Sequence, residues 1–186
     1  MQNAFLEFID NENSFDDLTS LLNSQKAHKD IHELKSILYL ISKISQNHHR
    51  VSSFFEKIKK ILDFLKSDIK QSFSNIEIFN IFKKNKRVLL LLFEEGILGI
   101  DEFISEQLTE KDYFYPEIHK FAQMTAKNYE IKELPDNFEE KRLIGESDSY
   151  LCEIIRNDQI EDFIINFNKH LFSLTMNIEP SIFETN

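Results

Sequence analysis

The sequence predicts an all-α protein built of helical hairpins. Three observations predict it. Only six of the 186 residues are Gly or Pro, against roughly 12% for the pair in an average protein. The corners that a β-sandwich, a β-barrel or a glycine-rich nucleotide fold requires are therefore missing. Apolar residues recur three and four positions apart through most of the chain, which sets them on one face of a helix. Helix-capping patterns punctuate those runs. With 18 Phe and no Trp, the expected core is rich in phenylalanine.

Each element follows in order. Ser14-x-x-Asp17 resembles a capping motif and opens a short helix to Leu22. Residues 30–46 place Ile31, Leu34, Leu38, Ile41 and Ile44 at helical spacing, and residues 53–70 do the same with Phe54, Ile58, Ile61, Leu62, Leu65 and Ile69. These two predict an antiparallel pair with its turn at Gln46 to Arg50. Ser74-x-x-Glu77 is a capping box, flanked by Phe73 and Ile78 at the positions of a hydrophobic staple. That helix runs to about Lys83; Lys84-Asn85 turns the chain, and Lys86 to Glu95 forms the next helix. Gly96 follows at the position that favours a left-handed C-terminal cap.

Asp101 begins another short helix, and Asp112 or Tyr113 opens one over residues 115–127, with Pro116 in its first turn. Residues 128–145 are less regular and hold Pro135 and Gly145, with a capping pattern at Asp136-x-x-Glu139. They read as a connection with one short helix, separating a helical N-terminal region, residues 1–127, from residues 146–186. There, Ser147 or Asp148 caps a helix from Tyr150 to Arg156, Asn157 turns the chain, and Asp158-x-x-Glu161 starts a helix through Asn168.

Net charge is −10, divided as −5 over residues 1–25, +6 over 26–100 and −11 over 101–186. The acidic balance argues against nucleic acid as the main partner. The longest apolar run, Val88 to Phe93, falls far short of the ~20 residues of a membrane helix, so no membrane association is expected. The first residues lack the basic region and long apolar stretch of a signal peptide, and the single cysteine, Cys152, cannot form an internal disulfide. An intracellular, reducing location is expected, cytoplasmic or nuclear.

The segment Ser149-Tyr-Leu-Cys-Glu-Ile-Ile-Arg-Asn157-Asp-Gln-Ile160-Glu161-Asp-Phe163-Ile-Ile165-Asn-Phe167 resembles the helix–turn–helix of an ankyrin repeat. Leu151 stands at the leucine of the first helix, Asn157-Asp158 at the Asn-Gly turn, and Ile160-Glu161 at the Leu-Glu opening the second helix. Cys152 replaces the usual His, Ile154-Ile155 the Ala pair and Asp158 the Gly, and the Thr-Pro-Leu-His start is missing. These departures mark a degenerate or capping repeat. A weaker instance runs from Ile76 to Gly96, closing with a Leu-rich helix, Glu-Glu and Gly.

The stretches Ile78 to Gly96, Tyr113-Phe-Tyr-Pro-Glu, Gly145 to Cys152 and Ile178 to Asn186 are similar to the N-terminal region of a large ankyrin-repeat family expanded in parasitic protists. The resemblance covers residues 74–186 well and 1–73 loosely. It implies helical hairpins stacked as a short irregular solenoid and an interaction scaffold without chemistry, with a protein or downstream ankyrin repeats as partner. Residues 146–186 then become a degenerate ankyrin-like capping repeat and tail. Repeats need neighbours on both flanks, so Ile160, Phe163, Ile164 and Phe167 form the candidate interaction surface. Either the tail 170–186 covers it or it is an association surface, self-association included.

Other constellations carry bland readings. His28 and His32 have metal-compatible spacing beside Glu33 but no further ligands, and His48-His49 sits in an expected turn. Cys152 reads as a small hydrophobe rather than a nucleophile, and Tyr113-Phe114-Tyr115-Pro116 as packing at a helix start. Lys83, Lys84, Lys86 and Arg87 form a candidate basic patch on an exposed turn. That patch supports the alternative of a nucleic-acid-associated or nuclear regulator using residues 26–87. No phosphate loop, dinucleotide fingerprint or nucleophile elbow occurs, so no catalytic residue, cofactor or metal is expected.

Overall fold

The computed structural model describes residues 2–10, 15–25, 29–47, 52–109, 111–127, 133–144, 154 and 159–169. Among them the regular structure is entirely helical: α1 Gln2–Asp10, α2 Phe15–Gln25, α3 Ile31–Asn47, α4 Ser52–Ser72, α5 Asn75–Phe82, α6 Lys86–Glu94, α7 Glu102–Gln107, α8 Tyr115–Met124, α9 Phe138–Ile144 and α10 Ile160–Asn168. The chain divides into two compact units, residues 1–130 and 131–185.

In the first unit, α1 pairs with α2 and packs on α4. The sequence reading had no helix at α1. Its Phe5 and Phe8 are fully buried, one helical turn apart, but a single such spacing without a capping pattern is a weak signal. Lys57 of α4 secures the end of α1, donating from Nζ to the Ile9 carbonyl at 2.5 Å. The expected Ser14 cap lies outside the described residues, as does most of the turn between α3 and α4.

Helices α3 and α4 bury the stripes that their spacing predicts, with one exception: Ile31 is exposed in the first turn of α3, ahead of the packed stretch. Lys29, just before α3, meets Asp68 near the end of α4 at 2.6 Å, which makes the pair antiparallel. The capping box of α5 is formed. The Ser74 amide donates to Glu77 Oε2 at 2.9 Å and the Glu77 amide donates to Ser74 Oγ at 3.4 Å. Phe73 and Ile78 are both buried.

Asn85 caps α6 by accepting from the Val88 amide at 3.2 Å. The apolar run Val88 to Phe93 has its explanation here, since α6 packs against both α4 and α5 and is covered on several sides. Gly96 closes it at φ +61°. Its amide donates to Phe93 O, and the Ile97 amide reaches back to Leu92 O at 2.9 Å. Asp101 caps α7 through the Ile104 amide. Pro116 lies in the first turn of α8, as expected.

The helix contacts have a pattern. α3 touches α5 and α5 touches α7; α4 touches α6; the hairpin contacts α3 with α4 and α5 with α6 join the two rows. The rows are thus two layers with one core between them, and Phe114, just before α8, extends the second layer by packing edge-on to Phe93 of α6 at 5.7 Å.

In the second unit, α9 begins at Phe138. The Phe138 amide donates to Pro135 O at 3.1 Å, and the Lys141 amide donates to Asn137 O at 2.9 Å. Asn137 has φ +58°, so the turn enters the helix from left-handed backbone. Arg142 is buried against the Phe138 ring at 5.3 Å and pairs with Glu139 at 2.8 Å. Ile154 is helical and buried; the rest of the expected helix from Tyr150 to Arg156 lies outside the described residues.

Candidate interaction surfaces

α10 carries the first candidate surface. Gln159 stands at its N-cap with no side-chain capping bond, and Asp158 of the expected capping box lies outside the described residues. The acidic side chains Glu161 and Asp162 complement the positive end of the dipole instead. Ile160, Phe163, Ile164 and Phe167 fall at i, i+3, i+4 and i+7, one helical face. No residue of α10 is buried: Ile160 is 65% and Ile164 49% exposed. The rings of Phe163 and Phe167 stack at 6.2 Å and 13°, which holds the two aromatics as one flat apolar surface. Ile165, also exposed, lies off that stripe. The tail 170–186, expected as a cover, lies outside the described residues, as do Leu151, Cys152 and Asn157 of the ankyrin-like segment.

The basic cluster divides in two. Lys83 and Lys84 are exposed, while Lys86 and Arg87 belong to α6 and are buried. The expectation of one exposed patch of four cations is corrected accordingly. Arg87 places its guanidinium carbon 3.9 Å from the centroid of the Phe55 ring, and Lys86 Nζ lies 5.0 Å from that of Tyr113. Burial pushes the Arg87 guanidinium below its ordinary range, opposed by the nearby Tyr113 and Glu56. The aromatic faces compensate for part of the lost hydration. Sequence position alone put these residues in a turn; the Asn85 cap starts α6 immediately after it and turns both side chains inward.

Elsewhere the candidate chemistry thins out. His32 is exposed on α3, where its amide donates to Asp30 Oδ1. His28, His48 and His49 lie outside the described residues. Tyr113, Phe114 and Tyr115 are buried, and Tyr113 and Phe114 meet edge to face at 4.9 Å. Among the described residues, no group of three or more His, Cys, Asp or Glu converges in a way that could hold a metal ion. No described helix is long and apolar enough to cross a membrane. One cluster of charge lies within the layer of α4 and α6: Lys59 of α4 meets Glu95, at the end of α6, at 2.8 Å, and Asp63 stands beside both. Burial first, and then the Glu95 charge, push the Asp63 carboxyl up, while the hydrogen bond from Lys59 holds Glu95 down.

The structure also shows exposed apolar groups that the sequence reading did not single out: Tyr39 on α3, Ile76 on α5 and Phe103 on α7. Tyr39 sits off the Leu34-Leu38-Ile41 stripe, and that offset was readable at 100° per residue. No protein-family model, curated protein or solved structure matches the chain.

Proposed function

We propose that the chain is a non-enzymatic protein-interaction module: a helical cap beside an ankyrin-type array, which docks a protein partner or a downstream repeat on α10. The observation that carries this reading is the uncovered apolar face of α10, with Ile160, Phe163, Ile164 and Phe167 on one side of a helix that buries none of its residues. Solvated helices in small domains do not normally line four large apolar groups in one row, and contiguous exposed apolar surface marks an interaction site. The two-layer contact pattern of α3 to α7 supports the stacked-hairpin part of the reading. The resemblance of residues 149–167 to a degenerate repeat supports the choice of neighbour.

A fusion of the chain to a stable designed ankyrin array tests the proposal. The two parts should unfold in one cooperative transition, and Phe163→Asp should split it in two. Independent transitions in the unmodified fusion, together with no apolar dye binding to the free chain, would sink it.

A further inference from the structure

The layer of α3, α5 and α7 carries a second exposed surface, independent of α10. Ser42 Oγ of α3 donates to the Ile81 carbonyl of α5 at 3.1 Å, which fixes how the two helices lie side by side. Helical spacing sorts the neighbouring residues about that bond. Lys35 and Tyr39 precede Ser42 on the α5-facing stripe of α3, and Lys35 is close enough for its charge to help lower the Glu77 carboxyl. Glu77, Asn80 and Ile81 share the α3-facing side of α5, and Lys83 and Lys84 follow at its end. Tyr39 and Ile76 are about half exposed, at 50% and 44%, and Lys43, Lys83 and Lys84 are exposed. Lys83 Nζ donates to Asn80 Oδ1; among the described residues no carboxylate pairs with these three lysines.

We infer that this end of the layer binds a short acidic peptide segment of a protein partner, the three lysines supplying charge and Tyr39 apolar contact. Charge complementarity selects an acid, and its pattern selects a short one. The whole chain is at −10, and Glu33 and Glu77 stand on the same helices toward their N-terminal ends. An extended polyanion would meet those acids, whereas a short segment stays within about 8 Å of the lysines, the screening length at physiological salt. Nucleic acid also needs a groove that follows several phosphates. The guanidinium best suited to clasp phosphate, that of Arg87, is buried against Phe55.

The test is fluorescence anisotropy of a labelled peptide of about five residues, Asp and Glu around one central Phe, titrated with the full chain at low salt. Saturable binding is expected. The pair Lys43→Glu and Lys84→Glu should weaken it by about tenfold, from two exposed ion pairs lost and two repulsions gained. The control pair Lys60→Glu and Lys120→Glu, exposed on α4 and α8, makes the same change in net charge and should have less than about a twofold effect. Tyr39→Ala should weaken binding several-fold, with the helical circular dichroism of every variant unchanged. No saturable binding, equal weakening by both charge pairs, or tighter binding of an oligodeoxynucleotide of equal charge would overturn the inference.

Discussion

Ala126 closes α8 with the same backbone geometry that Gly96 uses to close α6. Both are left-handed, at φ +52° and +61°. In each case the next residue donates five positions back, Lys127 to Ala122 O and Ile97 to Leu92 O, both at 2.9 Å. The motif suits glycine, because a Cβ crowds the backbone in this region. Ala126→Gly should therefore stabilise the first unit by roughly 0.5–1 kcal/mol, less the entropy that glycine adds to the unfolded chain. Gly96→Ala should destabilise it, since φ there is strained for any Cβ even though nothing lies within 4 Å of one. Urea titration of the two variants checks both signs.

Arg87 on Phe55 predicts a distinctive substitution series. A buried guanidinium is held by its stem and by the ring as much as by its charge. Arg87→Met keeps the stem and removes the charge, and should lie within about 1 kcal/mol of the parent. Arg87→Ala should cost about 2–3 kcal/mol by opening a cavity over Phe55. Arg87→Glu, placing an acid near Glu56, should cost more than either. Thermal unfolding would rank the three; equal losses for Met and Ala would show that the charge, not the packing, matters.

The capping box of α5 predicts an acid-sensitive contribution. The hydrogen bonds from the Ser74 amide and hydroxyl hold the Glu77 carboxyl below its ordinary value. A carboxyl lowered in the folded state adds stability that is present above its unfolded pKa and is lost as pH falls through the folded one. Ser74→Ala should cost about 1 kcal/mol near neutral pH. The difference from the parent should shrink below about pH 4, which denaturant titration at several pH values would show.

Asp63 behaves with the opposite sign. Its carboxyl is raised by burial and by Glu95, so the folded state favours its protonated form and the contribution is lost as pH rises. At neutral pH the ionised group is a cost that Lys59 and Lys66 only partly offset. Asp63→Asn should raise stability at pH 7 by up to about 0.5 kcal/mol, the scale of surface substitutions. The gain should vanish under acid. An equal gain at both pH values would point to a neutral packing effect instead.

Much of the fold was legible because its signals are local. The stripe from Phe54 to Ile69, the Ser74 box, the Asp101 cap and the Gly96 closure each depend on residues within one or two turns, and each stands as read. α1 was not legible, since two phenylalanines make too short a period. The division of the basic cluster was not legible either. Lys84 and Lys86 are two positions apart, but which faces water depends on Phe55 and Tyr113, far away in sequence. The apolar face of α10 could be read from its spacing, whereas its exposure is a matter of what does not pack there.

The two-layer arrangement bears on how the chain acquires its structure. Apart from α4 against α1, the main contacts of α3 to α7 join helices one or two elements apart in sequence. Little loop-closure entropy must be lost before those contacts form, and low contact order of this kind goes with fast folding. It also lets adjacent hairpins open one at a time rather than all together. Amide exchange should therefore grade along the first unit, slowest in α4 and α6, where packing surrounds the helix, and fastest in α7 at the edge of its layer.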